Sequence, residues 1–157
     1  MTSMSTRSRI AAIILAMPLL VLSVAAWEEE KDIDTIHTVY LTPIEGGKNA
    51  AVFQAVLKSE LVHNGYSIVP KADGADAVLF VEVLVTKDGD KHSVETHASL
   101  ENSAHNMVWS GGRVRSGPDL DRLLTAEARY LASAIRLAKD DLATKNQEKD
   151  KKKRPQQ

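Results

Sequence analysis

The stretch AVLFVEVLVTKDGDKHSVETHASL, Ala77–Leu100, decides the fold. It holds two β-type runs about a turn. In the first, Ala77–Thr86, Leu79, Val81, Val83 and Val85 share one face and are all apolar. The opposite face mixes Val78, Phe80 and Leu84 with Glu82. KDGDK follows, with Asp88-Gly89 at the tip of a hairpin. In the second run, His92–Leu100, Val94, Thr96, Ala98 and Leu100 point one way. Ser93, Glu95, His97 and Ser99 point the other. Such alternation marks a sheet with one face on a core and one face in water.

Working outward, ENSAHN turns the chain into a further strand from Met107 to about Val114, which carries Trp109. Ser116–Asp119, SGPD, has the Pro and Asp that open helices, and the helix is expected to run to about Ala143. Leu120, Leu124, Ala128, Leu131, Ile135, Ala138 and Leu142 give it one continuous apolar stripe. Upstream, Ile33–Thr42 is rich in β-branched residues and reads as the first strand. Lys48–Asn64 reads as a helix, with Phe53, Val56, Leu57 and Leu61 on one side and Asn64-Gly65 as its stop. YSIVP is a short second strand. The order β-α-β-β-β-α predicts an α+β two-layer sandwich: a mixed sheet with both helices packed on one face. The first β-α-β is expected to be a parallel, right-handed crossover, and the last three strands an antiparallel meander.

The 157 residues suit one domain, expected over residues 27–143. The chain has no cysteine, which excludes disulfides, thiolate metal sites, cysteine nucleophiles and acyl anchoring at a cysteine. Residues 1–26 have the layout of an export signal: Arg7 and Arg9, an apolar run Ile10–Leu22, then Val24 and Ala26 in the −3 and −1 places. The alternative is an uncleaved anchor through residues 10–27; in both cases the body lies outside the cytoplasm, in the periplasm or secreted. Residues 1–26 hold two arginines and no acids, so their removal takes the formal charge from −1 to −3. The last fourteen residues, TKNQEKDKKKRPQQ, carry six bases and two acids, which leaves −7 on the body. That balance argues against nucleic acid as a partner. The tail, residues 144–157, is expected to be disordered.

Individual motifs reduce to structural roles. TPIEGGKN has Thr42 and Asn49 where a phosphate loop needs glycine and a hydroxyl. His92 and His97 differ in strand parity and point to opposite faces, and His37, His63 and His105 are scattered, so no metal and no cofactor are expected. No nucleophile elbow accompanies Ser110-Gly111-Gly112. In ADGAD, Asp73 and Asp76 precede an apolar run that offers no further oxygen ligands; Asp76 reads as a hydrogen-bonding turn residue instead. Arg113 and Arg115 lie in a polar segment read as a flexible loop over residues 111–117; they would share a side if the strand continued, and could then grip a carboxylate or phosphate.

Leu57, Leu61, Gly65, Val69, Ala75, Asp76, Ala77 and Leu79, together with IHTVYLTPI, MVWSGG and the alanine-rich last helix, carry a resemblance. Over residues 34–140 the chain resembles the small periplasmic domains of the outer-membrane-associated group. That group includes the amino-terminal domain of TolB, the LpoB-type synthase activators and the CsgG secretion family. The resemblance implies an assembly or docking module, not an enzyme, with no catalytic residues to carry over. Lipoprotein tethering, found in several of those relatives, does not extend to a chain without cysteine.

These readings converge on an exported accessory protein that binds another envelope protein or a peptidoglycan-associated partner. Its contact surface is expected on the wet sheet face, at Glu82, Glu95 and His97, or at Arg113 and Arg115. The competing expectations are a small-molecule or glycan site, or an enzyme, at the Gly/Arg segment, and a homo-oligomer joined through sheet edges.

Overall fold

The computed structural model describes residues 33–153; the expected signal segment, Trp27 and Arg154–Gln157 lie outside that range. A short 3₁₀ turn, Ile33–Thr35, leads into β1, Thr38–Leu41. Helix α1 is Gly47–His63 and β2 is Ser67–Ile68. The meander is β3, Ala77–Asp88; β4, Lys91–Asn102; and β5, Met107–Gly117. Helix α2 is Leu120–Lys153. The five strands form one mixed sheet in the order β2-β1-β3-β4-β5, with β1 parallel to both β2 and β3 and the rest antiparallel. This is the α+β two-layer arrangement that the alternation and the helix stripes imply.

The core lies between one sheet face and the two helices. Val39, Leu41, Leu79, Val94, Ala98 and Leu100 point into it from the strands. Phe53, Leu57 and Leu61 of α1 and Leu124, Ala128, Leu131 and Ile135 of α2 close over them. Burial of each large apolar side chain contributes about 1.5–3 kcal/mol. Helix α1 stops where expected. Gly65 takes φ 90°, its N–H bonds Val62 O and the Tyr66 N–H bonds Leu61 O. That bond pair satisfies the last carbonyls of the helix, and a glycine takes the left-handed position without strain.

Three boundaries differ from expectation. Ile33–Thr35 is not part of the first strand, because Ile33 and Ile36 are both buried and cannot alternate across a sheet. Residues 111–117 are not a loop but the second half of β5, in register with β4 through Gly117 opposite His92. Thr144–Lys153, expected in the disordered tail, continues α2; Asn146 Nδ2 donates to Asp34 Oδ2 at 3.0 Å and holds that extension against the 3₁₀ turn.

Asp76 joins the parallel and antiparallel halves of the sheet. Its Oδ2 accepts from the N–H groups of His37 and Thr38 at 3.0 and 2.9 Å. Its own N–H donates to Thr38 Oγ1 at 2.8 Å, and its carbonyl accepts from Ser103 N–H. The aspartate thus bonds β1 across 38 residues of sequence. The far turn is held by Asn102, whose Oδ1 accepts from Ala104 and Asn106 N–H. Asp76→Ala is therefore expected to lower stability in urea denaturation by about 1–3 kcal/mol, the cost of stranding partly buried donors. Exposed Asp73→Ala should be near neutral.

Tyr66 is buried, and its hydroxyl has no hydrogen-bond partner among the described residues. Burial, and then the Asp140 charge, push its pKa up to about 12. A phenol with a raised folded-state pKa gives stability that is complete below pH 10 and lost as pH rises towards 12. Tyr66→Phe should flatten that alkaline limb and be neutral or slightly stabilising at pH 7, measured by thermal unfolding across pH.

A candidate docking surface on the open sheet face

Only one face of the sheet carries helices, so the other is bare among the described residues. Strand register fixes what it presents. Successive rows across β3, β4 and β5 are Leu84, Glu95, Val114; then Glu82, His97, Gly112; then Phe80, Ser99, Ser110. Val78 and Glu101 continue the pattern towards Met107. The side chains expected to form the wet face therefore do meet: Glu82 and His97 are direct cross-strand neighbours, and Glu95 lies two positions along β4. His97 Nε2 donates to Glu95 Oε1 at 2.9 Å, the two being 65% and 41% exposed. At that exposure the pair contributes at most about 1 kcal/mol and orients more than it stabilises.

The face is not simply wet. Phe80, Leu84, Val114 and Met107 stand 41–63% exposed on it or at its margin. Small residues hollow its centre. Ser99, Ser110 and Gly111 line a shallow open depression of about 540 Å³, flanked by Phe80, Glu82, His97 and Thr42. Gly112 cannot be enlarged, since a Cβ there would fall 2.1 Å from the Thr96 carbonyl oxygen. Across these rows Glu82, Glu95 and Glu101 stand with no lysine or arginine. The surface is thus anionic with apolar knobs, which suits a partner carrying cationic and apolar groups together. Among the described residues no three His, Asp or Glu side chains converge as a metal site.

Arg113 and Arg115 lie on the opposite face, contrary to their expected role as partner-binding groups. Arg113 Nε donates to both Glu127 carboxylate oxygens at 3.0 and 2.9 Å, and its guanidinium stacks 3.6 Å from the centroid of the Tyr130 ring. Arg115 Nε lies 2.9 Å from Glu127 Oε1. The carboxylate they were expected to grip is supplied by α2 of the same chain. Glu127, with no solvent exposure, was not singled out from the sequence. The signal was there: it falls three residues after Leu124 and four before Leu131, inside the apolar stripe, where a charge needs a cation opposite. Trp109 sits as expected on the helix side, partly buried against the core. Its ring lies over Gly111, where a Cβ would come within 2.7 Å of it.

Comparison with known proteins places the fold. No family model and no curated protein matches the chain. Among solved structures, PelC from Paraburkholderia phytofirmans, a dodecamer, is similar at a TM-score of 0.52 and 16% identity, over 68% of this chain and 91% of that one. Lipoprotein GNA1162 from Neisseria meningitidis gives 0.43 and 18%, over 60% and 96%. TolB from Acinetobacter baumannii gives 0.42 and 13%, over 62% of this chain and 28% of TolB. At these identities the PelC likeness is one of fold.

The arginine cluster makes a graded prediction. Arg113→Met should destabilise more than Arg115→Met, because Arg113 makes two of the contacts and the ring stack. The double replacement leaves a buried carboxylate without a cation and should cost about 3–5 kcal/mol in denaturant unfolding.

Proposed function

We propose that the protein is an exported, non-enzymatic accessory of the cell envelope that docks another envelope component on its open sheet face. The observation that carries this reading is the exposed row set Phe80, Glu82, Leu84, Glu95 and His97 on a face that no layer covers among the described residues. Side chains on this face are spread along three strands, an arrangement suited to contacting a broad surface. Export is supported by the N-terminal pattern of Arg7, Arg9, the apolar run Ile10–Leu22 and the small residues before Trp27. Within the described residues no helix is long and apolar enough to cross a membrane. The chain is similar in fold to PelC, which forms a dodecamer, and self-association is part of the proposed role. The alternative of a small ligand gripped by Arg113 and Arg115 is disfavoured, because both arginines are engaged by Glu127.

Site-specific photocrosslinking in the native envelope tests the reading. A photoreactive residue at Phe80 or Leu84 should yield one discrete cross-linked envelope protein, identified by mass spectrometry. The same probe at Val62, more exposed than either but on α1, should not. Glu82→Lys combined with Glu95→Lys should cut the yield severalfold. Absence of a product from the sheet face, or the same product from Val62, would sink the proposal.

A further inference from the structure

The two edges of the sheet are unequal. One is β2, with two residues. The other is β5, with eleven residues, and among the described residues nothing pairs with its far side. A long open edge is a template for another strand, and proteins usually blunt it with charge, proline or a covering element. β5 has no proline between Met107 and Gly117. Its two charges, Arg113 and Arg115, are held back onto Glu127 and do not guard the edge.

The flanks of this edge are apolar on both sides. On the open face stand Val114, 59% exposed, and Met107, 63% exposed. On the helix side Trp109 is partly buried, and Tyr130 of α2 stacks on Arg113. Leu137, 60% exposed, lies two helical turns after Tyr130 on the same stripe, which brings it along the same margin. An exposed methionine and valine on the open face and an exposed leucine on the helix layer thus flank this strand.

We infer that β5 pairs antiparallel with β5 of a second copy, making a closed two-fold dimer with a ten-stranded sheet. The inequality of the edges selects this geometry. A head-to-tail chain would have to join β5 to the two-residue β2, whereas β5 on β5 uses the long edge twice and closes. Register follows from charge and length. A dyad at Gly112 matches all eleven residues of each strand, Met107 opposite the partner's Gly117. It places Arg115 opposite the partner's Trp109 and Arg113 opposite the partner's Gly111, over which that same Trp109 ring lies, so both cations come beside an aromatic ring. Moving the dyad to Arg113 would oppose Arg113 with itself, and moving it to Val114 would oppose Arg113 with Arg115. An edge of eleven residues is about 37 Å long, and a sheet plus a helix layer is about 20 Å deep. The product, on the order of 700 Å² per partner, is close to the roughly 800 Å² of a standard stable interface.

The test uses the exported protein. Light scattering at micromolar concentration should give a dimer. Val114→Lys with Leu137→Glu, both at exposed sites, should weaken dimerisation by about thirtyfold or more while leaving far-UV circular dichroism unchanged. Because the chain has no native cysteine, a second measurement is independent of that variant's folding. Ser110→Cys with Val114→Cys should form a covalent dimer on mild oxidation, since the dyad sets residue 110 against the partner's residue 114. Val62→Cys, on α1, should not. A monomeric wild-type protein overturns the inference. So does a dimer that survives the charged variant and gives no cross-link between positions 110 and 114.

Discussion

A carboxylate held entirely away from solvent constrains much of this structure. Glu127 sits in the apolar stripe of α2 between Leu124 and Leu131, and an isolated charge there would be prohibitive. Arg113 and Arg115 answer it from β5. For both arginines to reach one carboxylate they must share a face, two residues apart, so the polar segment SGGRVRSG has to remain extended. The ion cluster thus makes a strand out of what composition alone reads as a loop. It also sets α2 over the β4–β5 side of the sheet, against α1, where Arg129 and Glu60 meet at the surface. The cluster's contribution is best understood as positional. A buried pair recovers little beyond its own desolvation, but losing one partner is costly, so the arrangement has few alternatives.

Two consequences for function follow from that one interaction. The arginines are taken out of the candidate binding surface, which leaves the open face to glutamates and apolar groups. The strand they lengthen becomes the long unpaired edge. A second polar tie, Asp76 to the backbone of His37 and Thr38, does comparable work at the other side of the sheet, where β1 must pair in parallel with a strand far along the chain. Parallel pairs have no hairpin to set their register, so a side-chain clip at the point of entry is an effective substitute.

The sequence made the fold class legible because the strands and helices bury opposite kinds of period. Leu79–Val85 and Val94–Leu100 alternate by two, and Phe53–Leu61 and Leu124–Ile135 repeat by three or four. The wet-face residues were legible for the same reason, since Glu95 and His97 share parity and Glu82 falls opposite them once the Asp88-Gly89 turn fixes the register. What could not be read was long-range. Three glycines and two serines gave residues 110–117 a loop-like composition, and only Glu127, on a separate element, reverses that preference. In the same way Asp76 looked local because its partner lies 38 residues earlier. Tail composition misled too: TKNQEKDKKK lacks an apolar stripe, yet it follows a well-anchored helix, and propagation costs far less than nucleation.

The open face and the open edge are different surfaces, and each has its own chemistry. A two-layer sandwich must leave one sheet face uncovered. Natural sheets usually make that face wholly polar, and here Phe80 and Leu84 interrupt it beside three glutamates. Stacking two such faces would set carboxylate against carboxylate, so the face is poorly suited to a second copy and better suited to a cationic, partly apolar partner. The edge has the reverse character: its arginines are turned onto Glu127 within the chain and its flanks are apolar, which favours a second copy. Pairing at the edge would leave both outer faces on one continuous sheet, side by side and pointing the same way. Under the proposed docking role, two such faces on one rigid body would raise the effective concentration of the second contact once the first has formed, so that modest individual affinities would hold an extended partner.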